Sequence, residues 1–157
     1  YTCFLNGNEN ACTPEMFVRY AQIAALMPVM QFSASPWRVL PEADFQKVKD
    51  ALALREKCLP EILKAVECAK VTGEPIARSM EFVFPGQGME RVMDQFMVGD
   101  ALLVAPVWKQ GEVARSVRLP EGQWRCVSLG ETEGDVLNGG RNVVLGENDG
   151  LVVLRRE

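Results

Sequence analysis

Residues 59–84 read L-P-E-I-L-K-A-V-E-C-A-K-V-T-G-E-P-I-A-R-S-M-E-F-V-F. Two periods meet inside this stretch. Up to Thr72 the apolar residues Leu59, Ile62, Leu63 and Val66 return at helical spacing. Gly73 is a natural helix C-cap, and Pro75 cannot continue a helix. Beyond them, Ile76 to Phe84 is a short β-prone run. The sequence therefore divides near residue 73 into a helical part and an all-β part.

Upstream, Thr13 suits a helix N-cap and Pro14 the first helical position. The spacing predicts a helix to about Met27, with Met16, Phe17, Tyr20, Ile23, Ala24 and Met27 on one buried face. Pro28 closes it. Val29 to Phe32 is a short apolar strand candidate, and Ser33 to Arg38 a loop holding Pro36 and Trp37. A long helix follows Pro41, with Phe45, Val48, Leu52, Leu59, Ile62, Leu63 and Val66 on its apolar face. Pro60 has no amide hydrogen, so a kink or two abutting helices is expected near Leu59. Tyr1 to Phe4 reads as a strand end and Asn6 to Asn10 as a polar loop. Two helices and two short strands are too few and too irregular for a complete bundle. They read as the last units of a larger α/β structure.

Downstream, six further β-prone runs follow: Arg91–Val98, Ala101–Val107, Val113–Leu119, Gln123–Leu129, Arg141–Leu145 and Leu151–Arg155. Turn signals separate the runs, among them Pro85-Gly86, Gly99-Asp100, Gln110-Gly111, Glu121-Gly122, Asn138-Gly139-Gly140 and Asp149-Gly150. Strands at this spacing suggest an antiparallel sandwich.

Composition removes several function classes. The chain has 157 residues, is 48% hydrophobic and carries a net charge of −4 with no basic block. A nucleic-acid surface needs clustered positive charge, so no nucleic-acid partner is expected. No apolar run reaches the roughly 18 residues of a membrane span. There is no histidine, which removes every His-based triad and His metal site. The five cysteines, Cys3, Cys12, Cys58, Cys68 and Cys126, form no C-x-x-C pair. They read as free, mostly buried thiols rather than a zinc site or a disulfide scaffold.

Three stretches carry a family resemblance. Met16 to Trp37 reads MFVRYAQIAALMPVMQFSASPW, Gly73 to Arg78 reads GEPIAR, and Asp94 to Val107 reads DQFMVGDALLVAPV, followed by VRLPEGQW at Val117–Trp124. In this order the stretches resemble the C-terminal portion of glycoside hydrolase family 31, the α-glucosidase and α-galactosidase family. The resemblance implies that residues 1–73 are the last strands and helices of a TIM (β/α)8 barrel. It implies that residues 74–157 are the proximal C-terminal β-sandwich domain. The helix-to-strand switch near residue 73 agrees with it.

The resemblance also frames the chemistry. It implies hydrolysis of α-linked O-glycosyl bonds by retaining double displacement, with no metal or organic cofactor. Retaining glycosidases need two carboxyl groups roughly 5–5.5 Å apart. In the family both are aspartates after earlier barrel strands, which would precede Tyr1, so no catalytic residue is assigned here. Asp94 and Asp100 form a tempting pair, but the family places this motif in the β-domain. There they would fix strand ends and turns by accepting hydrogen bonds.

Barrel active sites lie at the C-terminal ends of the strands. Two such ends are implied here. At Cys3 to Asn8 the family's sugar-binding aspartate is absent, with Leu5 or Asn6 in its place. At Gln31-Phe32-Ser33, Gln31 and Ser33 offer hydrogen bonds to sugar hydroxyls. Trp37, with Phe32, offers an apolar surface to a sugar face, unless both are simply core. These give the candidate substrate-binding residues Gln31, Ser33 and Trp37. Arg78 reads as structural, pairing with a carboxylate at the domain junction. Glu15 suits a helix first turn.

The implied partners are an α-linked carbohydrate and either a preceding barrel segment or another protein chain. A second reading is a non-catalytic structural or interaction module derived from a glycosidase. A third, ranked lower, is a sugar-binding β-module using Trp108 or Trp124 as a platform. Packing in the core or between domains is the expected role of both tryptophans.

Overall fold

The computed structural model describes residues 12–128, 134–145 and 151–157. Cys3, the Tyr1–Phe4 strand end, the Asn6–Asn10 loop, the Leu5-Asn6 position and the Asp149-Gly150 turn lie outside the described residues.

Helix α1 spans Pro14–Ala25, and the Thr13 side chain accepts the Met16 amide hydrogen at 3.2 Å. A helical turn, α2 (Pro36–Val39), leads to α3 (Glu42–Thr72). Glu42 and Asp44 favour the first turn of α3. Gly73 closes it in the left-handed conformation, φ 76°, its amide bonded to the Ala69 carbonyl. The helix runs through Pro60 as one element rather than two. Short strands follow: β1 (Ala77–Ser79), β2 (Phe96–Val98), β3 (Leu102–Ala105), β4 (Arg115–Arg118), β5 (Gln123–Cys126), β6 (Val136–Asn138), β7 (Asn142–Leu145) and β8 (Val152–Arg156). Between β1 and β2 lies the helical turn α4 (Met80–Val83).

Six strands make one antiparallel sheet in the order β1-β2-β3-β8-β5-β6, and β4 pairs with β7 in a separate ribbon. Successive strand residues face opposite sides, so the sheet feeds two cores. Val98, Leu102, Val104 and Val153 face α3 and meet Ala51, Leu54, Cys58, Ile62 and Ala65. Met97, Leu103, Ala105, Val152 and Leu154 face the other way, meeting Val117, Leu119, Trp124 and the β4–β7 ribbon. The result is a small α/β unit in three layers: helix, antiparallel sheet, ribbon. Because β3 is buried on both sides, its sequence Leu-Leu-Val-Ala is apolar throughout.

Several expectations need correction. The buried face of α1 is Val18, Arg19, Ala21, Gln22 and Ala25, not the Met16–Tyr20 stripe. Met16 and Tyr20 are exposed. The buried face of α3 keeps the expected Val48 and Ile62 but adds Ala51, Leu54, Cys58 and Ala65, and leaves Leu52, Leu59 and Leu63 outside. At Ala65 a small side chain faces inward where the backbones approach closely. At Gly99 even an added Cβ would stand 3.0 Å from Ala65 Cβ. Both helices carry two apolar stripes, and periodicity alone does not say which one meets the sheet.

Val29–Phe32 pairs with no strand among the described residues. The expected Ile76–Phe84 run is strand only over Ala77–Ser79. The Ser79 hydroxyl then caps the Phe82 amide and turns the chain into α4. Of Arg91–Val98, only the last three residues are strand. Trp108 lies in a loop, not on a strand.

Cys58 and Cys126 are buried, and Cys12 and Cys68 are partly buried. Burial first, and then the nearby Glu61 charge, pushes the Cys58 thiol up to about 11 from 9.0, against the opposing pull of Arg155 and Lys57. The folded state thus disfavours the thiolate. Stability from this group is complete below pH 9 and is lost as pH rises through about 11. A Cys58→Ala variant, followed by urea unfolding at pH 8 and pH 10.5, is expected to lose less stability over that interval than the parent. Equal losses would contradict the assignment.

Candidate functional site

The segment Val29–Ser33 alternates. Met30 and Phe32 pack against α1 and α3, whereas Val29, Gln31 and Ser33 are exposed. Phe32 stacks on Phe17 of the first turn of α1, with ring centroids 6.0 Å apart and an interplanar angle of 1°. The C-terminal end of this segment therefore sits beside the N-terminal end of α1. Gln31 and Ser33 are the exposed polar side chains of this segment.

Trp37 stands apart from them on α2. It is 67% exposed, with its ring edge-on to Phe45 at 6.5 Å. Pro36 beside it is buried. Thus Phe32 is packed and Trp37 is open, so the two do not share one environment. Of the other tryptophans, Trp124 is fully buried, and its indole donates to the Pro120 carbonyl at 3.0 Å. Trp108 is exposed, with Lys109 over its ring at 5.4 Å.

Asp94 and Asp100 do not face one another as an acid–nucleophile pair. Asp94 Oδ2 meets Arg115 Nη2 at 2.7 Å, and Asp100 Oδ1 meets Arg78 Nη1 at 2.6 Å. Arg78 is buried, with Glu74 at 3.0 Å and the Pro75 carbonyl at 2.7 Å. The guanidinium thus ties the end of α3 to the β2–β3 turn, as the sequence predicts for an arginine at the junction.

Glu15 does more than favour a helix dipole. It accepts the Gly111 amide hydrogen at 2.8 Å, while Arg19 Nη2 donates to the Glu112 carbonyl at 2.8 Å. These two bonds fasten the 108–113 loop to α1. Lys57 to the Val127 carbonyl (3.2 Å) and Arg155 to Glu61 (2.8 Å) fasten α3 to the sheet. Sequence reasoning missed all four contacts, because bonds between residues far apart in the chain leave no spacing signal. Among the described residues, no group of three or more acidic, Cys or His side chains is placed to hold a metal ion.

The described residues thus form a helix pair fastened to an antiparallel sheet that is backed by the β4–β7 ribbon. Residues 73–148 match the glycosyl hydrolase family 31 C-terminal domain. Myogenesis-regulating glycosidase of Mus musculus is 39% identical over 122 residues, 76% of this chain and 17% of that protein. The SITS-binding protein of Tetronarce californica is 34% identical over 129 residues, 78% of this chain and 18% of that protein. Among solved structures, a family 31 α-xylosidase from a soil metagenome, complexed with xylose, superposes with a TM-score of 0.79 at 27% identity. That match covers 94% of this chain and 25% of the xylosidase. The chain belongs to glycoside hydrolase family 31. It spans about a fifth of the length of the two curated relatives. No helix among the described residues is long and apolar enough to cross a membrane.

Proposed function

We propose that this chain is the closing portion of a retaining α-glycosidase. Residues 1–73 complete a (β/α)8 barrel and residues 74–157 form its proximal β-sandwich. Gln31 and Ser33 meet substrate hydroxyls, and Trp37 offers its open ring face to a sugar. The two catalytic carboxylates come from chain preceding Tyr1, so residues 1–157 alone are inactive. The observation that carries this reading is the alternation at 29–33. It leaves both polar side chains exposed while Met30 and Phe32 pack on the helices, and we read the exposed side as the interior of a closed barrel.

The exposed stripes support it. Leu52, Leu59 and Leu63 on α3, and Met16 and Tyr20 on α1, are apolar surface outside the core. Apolar side chains on a second face of each helix are suited to packing against further elements. The test is turnover of 4-nitrophenyl α-glucoside, α-galactoside and α-xyloside. The complete polypeptide is expected to cleave at least one of them, and the 157-residue chain none. Gln31→Ala in the complete polypeptide is expected to raise KM about tenfold, the loss of one hydrogen bond to a buried hydroxyl. Turnover by the short chain, or an unchanged KM, would refute the proposal.

A second reading is a non-catalytic binding module. The observation favouring it is the likeness to a protein named for binding rather than hydrolysis. No turnover by the complete polypeptide would select it.

A further inference from the structure

Arg55, in the middle of α3, makes three bonds to backbone. Its Nη1 donates to the carbonyls of Ala25 (2.7 Å) and Met27 (2.6 Å), and its Nη2 to that of Pro28 (3.2 Å). Ala25 is the last residue of α1, and Pro28 immediately precedes Val29. The last carbonyls of a helix have no partner within it, and positive charge is favoured there. A planar guanidinium can hold several such acceptors at once, as an ammonium cannot.

The consequence falls on the next five residues. Their start is clamped by Arg55 through the Met27 and Pro28 carbonyls. Their middle is held by Met30, which packs against two of the three cores, and their end by the Phe32–Phe17 stack. Every hold acts on backbone or on an even-numbered side chain. Gln31 and Ser33 are left outward by this arrangement alone, since no neighbouring strand among the described residues fixes their register. A slip of one residue would turn them inward.

We infer that Arg55 is a positioning residue for the Gln31–Ser33 site: it sets the register of the segment that presents those two side chains to substrate. The inference rests on the reading of Gln31 and Ser33 as sugar contacts. It assigns Arg55 no contact with substrate.

Arg55→Lys keeps the charge and loses the three-way fork, and Arg55→Gln is the second variant should either fold poorly. In the 157-residue chain, exchange of the Leu26 and Met27 amides, which bond to the Ile23 and Ala24 carbonyls in the turn that Arg55 clamps, is expected to quicken at least about tenfold, the mark of local rather than global opening, with β5 unchanged. In the complete enzyme, KM for the cleaved 4-nitrophenyl α-glycoside is expected to rise about tenfold while kcat stays within about threefold. A merely structural arginine would lower the active fraction, and so kcat, and leave KM alone. Unchanged exchange at Leu26 and Met27 overturns the inference. So does an unchanged KM in Arg55→Lys when Gln31→Ala raises it. If Gln31→Ala and Ser33→Ala both leave KM unchanged, the site reading itself fails and the inference falls with it.

Discussion

Arg115→Met is expected to destabilise the fold by about 2–4 kcal/mol, the cost of leaving two backbone carbonyls without their donor. The arginine side chain is only 6% exposed. Its Nη1 donates to the Asp94 carbonyl at 2.7 Å and the Pro106 carbonyl at 2.6 Å, and its Nη2 faces Asp94 Oδ2 at 2.7 Å. One side chain on β4 thus joins the segment entering β2 to the segment leaving β3. Methionine fills similar volume but leaves two carbonyls without a donor, each worth about 1–3 kcal/mol. A domain of this kind is stable by only about 5–15 kcal/mol, so little margin would remain. Asp94→Asn is the contrast. Its carboxylate is half-exposed and the backbone bonds survive, so the loss should be near 1 kcal/mol, as for a partly solvated pair. Urea unfolding of the three proteins decides the matter. An Arg115→Met loss no larger than that of Asp94→Asn would mean that the carbonyl bonds carry no net stability.

The same residues show what a sequence can and cannot disclose. Thr13 and Gly73 were legible because capping is local: the donor, the acceptor and the required backbone angle lie within four residues. The turns at Gly86, Gly99, Gly111, Gly122 and Gly140 were legible for the same reason, each glycine having positive φ. The division into a helical part and an all-β part followed from the change of period near residue 73. Orientation did not follow. Whether α3 turns Ala51 or Leu52 to the sheet depends on how close the sheet comes, and Gly99, 34 positions beyond Ala65, helps decide it. Strand β6 went unseen because Val136–Asn138 is three residues long and mostly exposed, so it has no buried face to alternate.

The candidate site was legible only in part. Gln31, Ser33 and Trp37 came from family resemblance, since five residues are too few for a period to be counted. The structure adds that Gln31 and Ser33 are both exposed while Trp37 stands on another element. Arg55 was invisible, because an arginine on a helix reads as solvated surface until the carbonyls it reaches are known. The roles of Asp94 and Asp100 turned on which arginine each one meets, and those partners lie 21 and 22 positions away.

Gly139→Ala is expected to be as damaging as the loss of Arg115, for a different reason. The Gly139 amide donates to the Gly122 carbonyl at 2.7 Å, and the Gly140 amide to the Leu119 carbonyl at 3.0 Å. Backbone therefore lies directly on backbone. An added Cβ would overlap the Pro120 carbonyl oxygen and stand 2.9 Å from the Pro120 carbonyl carbon and 3.0 Å from the Gly122 oxygen. No side chain can swing aside to relieve this, so strand connections must move, at a cost of about 3 kcal/mol or more. The Pro120 carbonyl also accepts from the Trp124 indole, so its displacement reaches the core, where Trp124 lies edge-on to Phe84 at 5.9 Å. Gly86→Ala separates crowding from conformation. Gly86 has φ 76° with open space around it, so alanine there should cost only the left-handed penalty of about 1–2 kcal/mol. Acrylamide quenching gives a second readout, because Trp124 is buried while Trp37 and Trp108 are exposed. The parent should keep one shielded indole and Gly139→Ala should lose it. If Gly139→Ala costs no more than Gly86→Ala and Trp124 stays shielded, the two connections are not in contact as described, and the packing of β5 against the ribbon would need another explanation.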